Sequence, residues 1–206
     1  MELLLIRHAL PVRRELEEGI ADPELSEAGI AQAAHLATYL AEEELDAVYA
    51  SPLRRALQTA QPVAMHHGLD LVIDEQLAEW DRNSNEYVPI EELKAANDPR
   101  WQAMMRGEWT VHDETPDEFR ERIVAAVEEK IAAHSGDRIA VVCHGGVING
   151  YLSYILDLPN PQGFFYPNYT SIHRVAAARS GERSIVTLNE TTHLRGTGLP
   201  IGLFQS

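Results

Sequence analysis

Leu3-Leu4-Leu5-Ile6-Arg7-His8 opens the regular part of the chain, and Ile139-Ala140-Val141-Val142-Cys143-His144-Gly145-Gly146 follows the same plan far downstream. Each is a short apolar run, aliphatic or β-branched, that breaks off at a histidine. Runs of this length without polar alternation read as strands covered on both faces, as in a parallel sheet flanked by helices. The second run meets glycine immediately after its histidine. In open α/β sheets ligands gather at the carboxyl edge of the strands. Two histidines delivered there, the first beside an arginine, point to a site that handles an anion.

The segments between these runs fit that reading. Ser26 caps a helix to about residue 43, with Ile30, Ala33, Ala34, Leu36 and Leu40 near helical period. Residues 46–50 read as a strand, and Ser51-Pro52 as an N-cap followed by proline at the first helical position. Leu53, Ala56, Leu57, Ala60, Val63 and Ala64 form the apolar face of that helix. Another strand is expected at 69–73. Thr115-Pro116-Asp117-Glu118 is a capping box that starts a helix through Phe119, Ile123, Val127 and Ile131. A strand at 138–143, a helix at 146–157 and two closing strands at 172–178 and 184–189 complete the chain. Between them, 80–115 carries Trp80, Trp101 and Trp109 with weak periodicity and reads as a partly helical insertion, a lid over the active site. The expected fold is a three-layer α/β/α sandwich with a mostly parallel central sheet, one domain spanning 1–206.

The chain has 206 residues, 45% hydrophobic and 24% charged, with a net charge of −15. That balance argues against nucleic acid or an anionic membrane as general partner and leaves room for a phosphorylated small molecule in a locally cationic pocket. With one cysteine, Cys143 inside an apolar strand, no internal disulfide forms and a buried structural thiol is expected. The opening lacks the basic start of a signal peptide, and no run reaches membrane-spanning length, so a cytoplasmic enzyme is expected. The oligomeric state stays open; a homodimer is compatible with the sequence.

Four groups carry candidate chemistry. Arg7-His8 could hold a phosphoryl group on the guanidinium while the imidazole attacks phosphorus, although the dipeptide alone reads equally as a surface loop. Arg54 and Arg55 add permanent positive charge to a helix start, and helical phase does not decide which turns inward. His144-Gly145-Gly146 could present a second imidazole and close backbone N–H groups to the phosphoryl oxygens, against the alternative of a satisfied core histidine. Glu79 stands after a strand; near a bound dianion its proton is retained, which suits a general acid, with Asp81 and Glu86 as local alternatives.

In this order the motifs resemble the histidine phosphatase superfamily, also called the phosphoglycerate mutase-like family, over nearly the whole chain. Leu5-Ile6-Arg7-His8 is similar to its opening motif. Ser51-Pro52-Leu53-Arg54-Arg55-Ala56-Leu57-Gln58-Thr59-Ala60 is similar to its arginine helix and selects Arg55 over Arg54. Val142-Cys143-His144-Gly145-Gly146 is similar to the second histidine motif, and Leu188-Asn189-Glu190-Thr191-Thr192-His193-Leu194 to the C-terminal signature. The resemblance implies a phosphomonoester phosphatase working through a phosphohistidine on His8, with His144 opposed to it. It assigns the phosphate to Arg7, Arg55 and Gly145, the proton to Glu79, and no metal or organic cofactor. Three departures stand out. Ala9 replaces the usual glycine after Arg-His, and Trp80-Asp81-Arg82-Asn83 replaces a Gly-x-Trp-Glu-Gly stretch. Arg14 falls where several members carry a phosphate-contacting asparagine and is a candidate third cation. A mutase shares every named residue and is the first alternative; a phosphate-sensing module on an inactive scaffold is the second. His66-His67 reads as a dipole-compatible pair ending a helix, His112 as a lid residue, His193 as structural, and Asn168 as either a turn residue or an orienting group.

Overall fold

The computed structural model describes residues 1–106, 114–159 and 163–203. Eight strands and six helices follow in chain order: β1 (Glu2–Arg7), β2 (Arg14–Glu15), α1 (Glu27–Leu40), β3 (Ala47–Ala50), α2 (Arg54–His67), β4 (Leu71–Ile73), β5 (Glu86–Tyr87), α3 (Ile90–Ala95), α4 (Pro99–Met105), α5 (Pro116–Ala133), β6 (Arg138–Cys143), α6 (Gly145–Ile155), β7 (Ile172–Ala177) and β8 (Arg183–Glu190). Six strands form one sheet in the order β4-β3-β6-β1-β7-β8. The first four run parallel; β7 returns antiparallel to β1, and β8 antiparallel to β7.

The unbroken apolar runs have a direct cause. Along β1 and β6, Leu3, Leu5, Ile139, Val141 and Cys143 face a core closed by Phe119, Ile123 and Val127 of α5 and Val147, Ile148 and Tyr151 of α6. The alternate residues Leu4, Ile6, Ala140 and Val142 face a second core closed by Leu36 and Leu40 of α1 and Ala56, Ala60 and Val63 of α2. Successive side chains of a strand point to opposite faces, so a strand with helices on both sides is apolar throughout. This is the α/β sandwich expected from the sequence.

Parallel register levels the strand ends. Arg7 lies opposite Cys143, and Ala50 opposite Val142. The ladder runs one residue beyond each: the His8 amide donates to the Cys143 carbonyl at 2.9 Å and the Ser51 amide to the Val142 carbonyl at 3.0 Å. His8, Ser51 and His144 therefore leave the sheet side by side.

Two local expectations need correction. Ser51 does not cap α2, which starts at Arg54 with Leu53 as N-cap and no side-chain cap from that residue. The Arg54 amide is taken instead by the Asp22 carboxylate at 2.9 and 3.2 Å, an anion at the electropositive helix start. The helix after Ser26 ends at Leu40 rather than near 43. The capping box at Thr115 and Glu118 forms as read. Of the insertion, β5 pairs with β2 and is followed by the short helices α3 and α4. Trp109 and His112 lie outside the described residues.

Candidate active site

Arg7 and His8 end β1, Arg55 opens α2, His144 caps α6, and Glu79 follows the single turn at Glu75–Leu77 beyond β4. All five derive from the carboxyl edge of the four parallel strands. Arg7, His8, Arg55, Glu79, Gly145 and Gly146 line one cavity of about 680 Å³. The His8 and His144 rings lie 5.1 Å apart between centroids, at 55°. His144 itself is fully buried and not among the lining residues.

Hydrogen bonds fix the state of His8. Its Nδ1 sits 2.8 Å from its neighbour Ala9's carbonyl oxygen, which only accepts, so Nδ1 carries the proton and Nε2 keeps a lone pair. Burial, then the charges of Arg55 and Arg7, push the His8 pKa well below the ordinary histidine value, leaving the ring neutral. The Ala9 amide donates to Thr59 Oγ1 at 2.9 Å, and Thr59 Oγ1 donates to the Arg55 carbonyl at 2.7 Å, tying this loop to α2.

Around His8 stand three buried nitrogens without a partner among the described residues: Arg7 Nε, Arg55 Nε and His144 Nδ1. A buried donor left unpaired is costly, so two guanidinium donors, with a third nitrogen that donates in one tautomer, mark a place built for an anion. Arg7 is held by neutral groups, Arg55 by an aromatic ring and one carboxylate. Arg7 donates from Nη1 to Tyr166 Oη at 2.9 Å and to the Pro167 carbonyl at 2.7 Å, and lies 4.2 Å over the Tyr169 ring. Arg55 lies 4.7 Å over the Tyr87 ring and donates from Nη2 to Asp81 at 2.7 Å. Stacking and carbonyl contacts fix the Arg7 guanidinium without neutralising it, while Arg55 keeps its Nε unspent beside its pairing with Asp81. His144 Nε2 is 2.7 Å from Ser51 Oγ, and burial followed by Arg55 lowers its pKa well below the ordinary value.

Glu79 is held from three sides. Its Oε2 accepts from the Gly146 amide at 2.7 Å and its Oε1 from the Trp80 amide at 3.0 Å. From α5, Arg122 donates to the carbonyls of Gln76 and Ala78 at 2.5 and 3.1 Å, anchoring the segment that delivers it. Burial, then the Asp81 charge, raise its pKa above the usual carboxylate value. Asp81, in contrast, is committed to Arg55, and Glu86 to Arg100 at 2.7 Å.

The remaining candidates fall elsewhere. Arg14 pairs with Glu24 at 2.6 Å and is not among the residues lining the cavity, so it supplies no third cation there. Arg54 is half exposed and also reaches Glu24. Cys143 is fully buried with its pKa raised by burial, an inert thiol. His193 Nε2 meets Thr170 Oγ1 at 2.9 Å, and the Asn168 carbonyl closes a turn with Ser171. His66 and His67 occupy the last turn of α2 before Gly68, whose φ of +64° ends the helix. Among the described residues no three His, Cys, Asp or Glu side chains gather as a metal site.

Sequence reasoning did not single out Ser51, Tyr87, Tyr166, Tyr169 or Arg122. Ser51 was within reach: it ends β3 as His8 ends β1, and the edge argument applies equally. The aromatic-rich Tyr166-Pro167-Asn168-Tyr169 stretch before β7 was a second signal. Nothing local marks Tyr87 or Arg122, whose contacts are made across the fold.

The model of the histidine phosphatase superfamily (branch 1) matches residues 3–191, so the chain belongs to that superfamily. Among curated relatives, phosphoserine phosphatase 1 of Hydrogenobacter thermophilus is 28% identical over 201 residues, covering 94% of each chain. Phosphoglycerate mutase-like protein 4 of Arabidopsis thaliana is 28% identical over 206 residues, covering 96% of this chain and 88% of that one. Among solved structures, Bacillus stearothermophilus YhfR has a TM-score of 0.75 at 25% identity, covering 94% of this chain and 99% of that one. A phosphoserine phosphatase mutant of Entamoeba histolytica in complex with phosphoserine shares the fold at a TM-score of 0.73 and 24% identity, with 94% and 98% covered.

Proposed function

We propose that the protein is a phosphomonoester phosphatase that forms a covalent phosphohistidine on His8. The observation that carries this reading is the imidazole locked through Nδ1 on a carbonyl, its Nε2 lone pair left beside three unpartnered buried nitrogens, two of them guanidinium donors. Nε2 attacks phosphorus, the bond from phosphorus to the alcohol oxygen breaks, and the departing alkoxide takes the proton of Glu79. Arg7, Arg55 and His144 Nδ1–H stabilise the charge on the equatorial oxygens. In that role His144 is the Nδ1–H tautomer, with Ser51 O–H donating to its Nε2; Gly145 adds its place at the start of α6. Water then attacks the phosphohistidine, Glu79 as carboxylate takes its proton, the P–N bond breaks, and inorganic phosphate leaves.

A cytoplasmic setting and a phosphorylated small-molecule substrate are part of the proposal. The test is p-nitrophenyl phosphate hydrolysis by wild type and by His8→Ala. Vanadate-sensitive turnover in the first and a folded, inactive second support the assignment; equal turnover in both sinks it. The mutase alternative is favoured by one specific finding, relatives of equal similarity named for phosphoglycerate mutase. Incubation with 3-phosphoglycerate and a trace of bisphosphoglycerate separates them, a mutase giving 2-phosphoglycerate where a phosphatase gives inorganic phosphate.

A further inference from the structure

Beyond the phosphoryl centre the cavity has a character of its own. At about 680 Å³ it holds the equivalent of roughly twenty water molecules, more than a three-carbon phosphate fills. The insertion contributes Val88, Ile90, Leu93 and Met104 to its wall, and the segment before β7 contributes Phe165. The described lining residues include three cations: Arg7, Arg55 and Arg100. Arg7 and Arg55 belong to the phosphoryl centre. Arg100 spends four of its five N–H groups on carboxylates, donating to Asp98 at 2.9 and 3.0 Å, to Glu86 at 2.7 Å and to Glu15 at 3.5 Å. The other titratable groups among the described lining residues that carry charge are acids, Glu79 of the phosphoryl centre, Asp81 paired with Arg55 and Glu86 paired with Arg100. A carboxylate carried by the alcohol half of a substrate would, among the described residues, meet no cation outside the phosphoryl centre that is not already paired with carboxylates. An apolar chain or ring would find matching walls.

We infer that the substrate is the phosphate monoester of an uncharged alcohol with a sizeable apolar body, selected by the wall of Val88, Ile90, Leu93, Met104 and Phe165, and that phosphorylated acids are poor substrates. This rests on the phosphatase reading of His8 and adds the identity of the leaving alcohol. It sets the chain apart from relatives whose names carry phosphoserine or phosphoglycerate.

The experiment compares kcat/KM for butyl, hexyl and octyl phosphate with phosphoserine and 3-phosphoglycerate. All five are esters of primary alcohols, so the chemical step is comparable. Full burial of a methylene is worth up to about fourfold in kcat/KM. Octyl phosphate is expected to exceed butyl phosphate by at least about tenfold and phosphoserine by more. Ile90→Lys, a cation placed on the half-buried first residue of α3, is expected to lower the ratio of octyl phosphate to 3-phosphoglycerate by about tenfold. A flat chain-length series, or a phosphorylated acid turned over as well as octyl phosphate, overturns the inference while leaving a His8-dependent phosphatase intact. Failure of the wild type to release phosphate from any of the five, or from p-nitrophenyl phosphate, overturns the phosphatase reading and this inference together.

Discussion

A single methyl group at position 146 separates the acid from the nucleophile. A Cβ built on Gly146 would lie 2.3 Å from Glu79 Oε1 and 3.0 Å from both Cδ and Oε2. The carboxyl must swing away, and with it goes the 2.7 Å bond from the Gly146 amide. The three atoms nearest that Cβ all belong to Glu79, and the arginines and His8 keep their own contacts. General acid catalysis contributes typically 10²–10⁴-fold, so Gly146→Ala is expected to lower kcat/KM on a primary alkyl phosphate by about 10²-fold. On p-nitrophenyl phosphate, whose phenolate leaves without a proton, the first chemical step needs no acid and the loss is expected to stay within about threefold under single-turnover conditions. The fold should not suffer. Alanine inside a helix is favoured over glycine by about 0.5–1 kcal/mol, which offsets most of the loss of the hydrogen bond, about 0.5–1.5 kcal/mol, so the melting temperature is expected to shift by no more than a few degrees. The assay is single-turnover release of the leaving alcohol or p-nitrophenolate, which reports the first step alone, with thermal unfolding alongside. Equal losses on the two substrates, or none on the alkyl ester, refute the assignment of Glu79 as the acid.

Three further outcomes follow from the same contacts. Because His8 must be neutral and Glu79 protonated, kcat/KM on alkyl phosphates falls toward acid below the ordinary histidine pKa and toward alkali through the raised Glu79 pKa; the Asp81 charge helps raise the latter, so Asp81→Asn moves the alkaline limb to lower pH. An alkaline limb unmoved by that variant removes Asp81 from the account. His173 is buried, its Nδ1 accepting from the Asn189 amide at 3.2 Å, and burial lowers its pKa to about 3. The unfolded chain binds this proton first as pH falls below about 6.5, so stability present above that value is lost toward the folded pKa, by about 2 kcal/mol between pH 7 and pH 5. Urea unfolding of wild type and His173→Gln at both pH values measures it, the variant losing correspondingly less. Gly29→Ala would place a Cβ 2.1 Å from the Leu10 carbonyl oxygen, backbone against backbone. A destabilisation of at least about 1–3 kcal/mol is expected, and unchanged stability would show that α1 can shift off the Leu10 loop.

What could be read from the sequence divides along a physical line. Leu3 to Ile6 and Ile139 to Val142 announced a two-faced sheet because every position on such strands is buried, and burial is written in single residues. The strand ends marked His8 and His144 as candidates; helical phase left Arg54 and Arg55 open, and position left Glu79 level with Asp81 and Glu86, so the choice of Arg55 and Glu79 came from the family resemblance. The start of α2 was misread because Ser51-Pro52 has the chemistry of a cap. The deciding contact, Ser51 with His144, joins residues 93 apart, and the cap duty passed to Asp22, 32 residues away. Arg14 misled in the same manner: its position along the chain suggested the cavity, while pairing of β2 with β5 and the nearby Glu24 hold it away. Local pattern carries which residues are buried; it does not carry which polar groups find one another across the fold.

That division has a functional counterpart. The phosphoryl centre is assembled from the carboxyl edge of β1, β3 and β6, where register fixes the ends of the strands to one another through backbone bonds of about 3 Å. Chemistry that needs an imidazole, two guanidiniums and an acid within one phosphate's reach demands such rigidity. The rest of the cavity is walled by Val88, Ile90, Leu93 and Met104, side chains from a segment joined to the body through the two-residue ladder of β2 and β5, and these are the residues we propose for the alcohol half. Substituting those residues changes which alcohol fits without moving His8, because none of them contributes to the sheet that holds it. A fold arranged in this way can keep one phosphoryl reaction and change its substrate, and the apolar character of the insertion is therefore the part of this chain from which its specificity should be read.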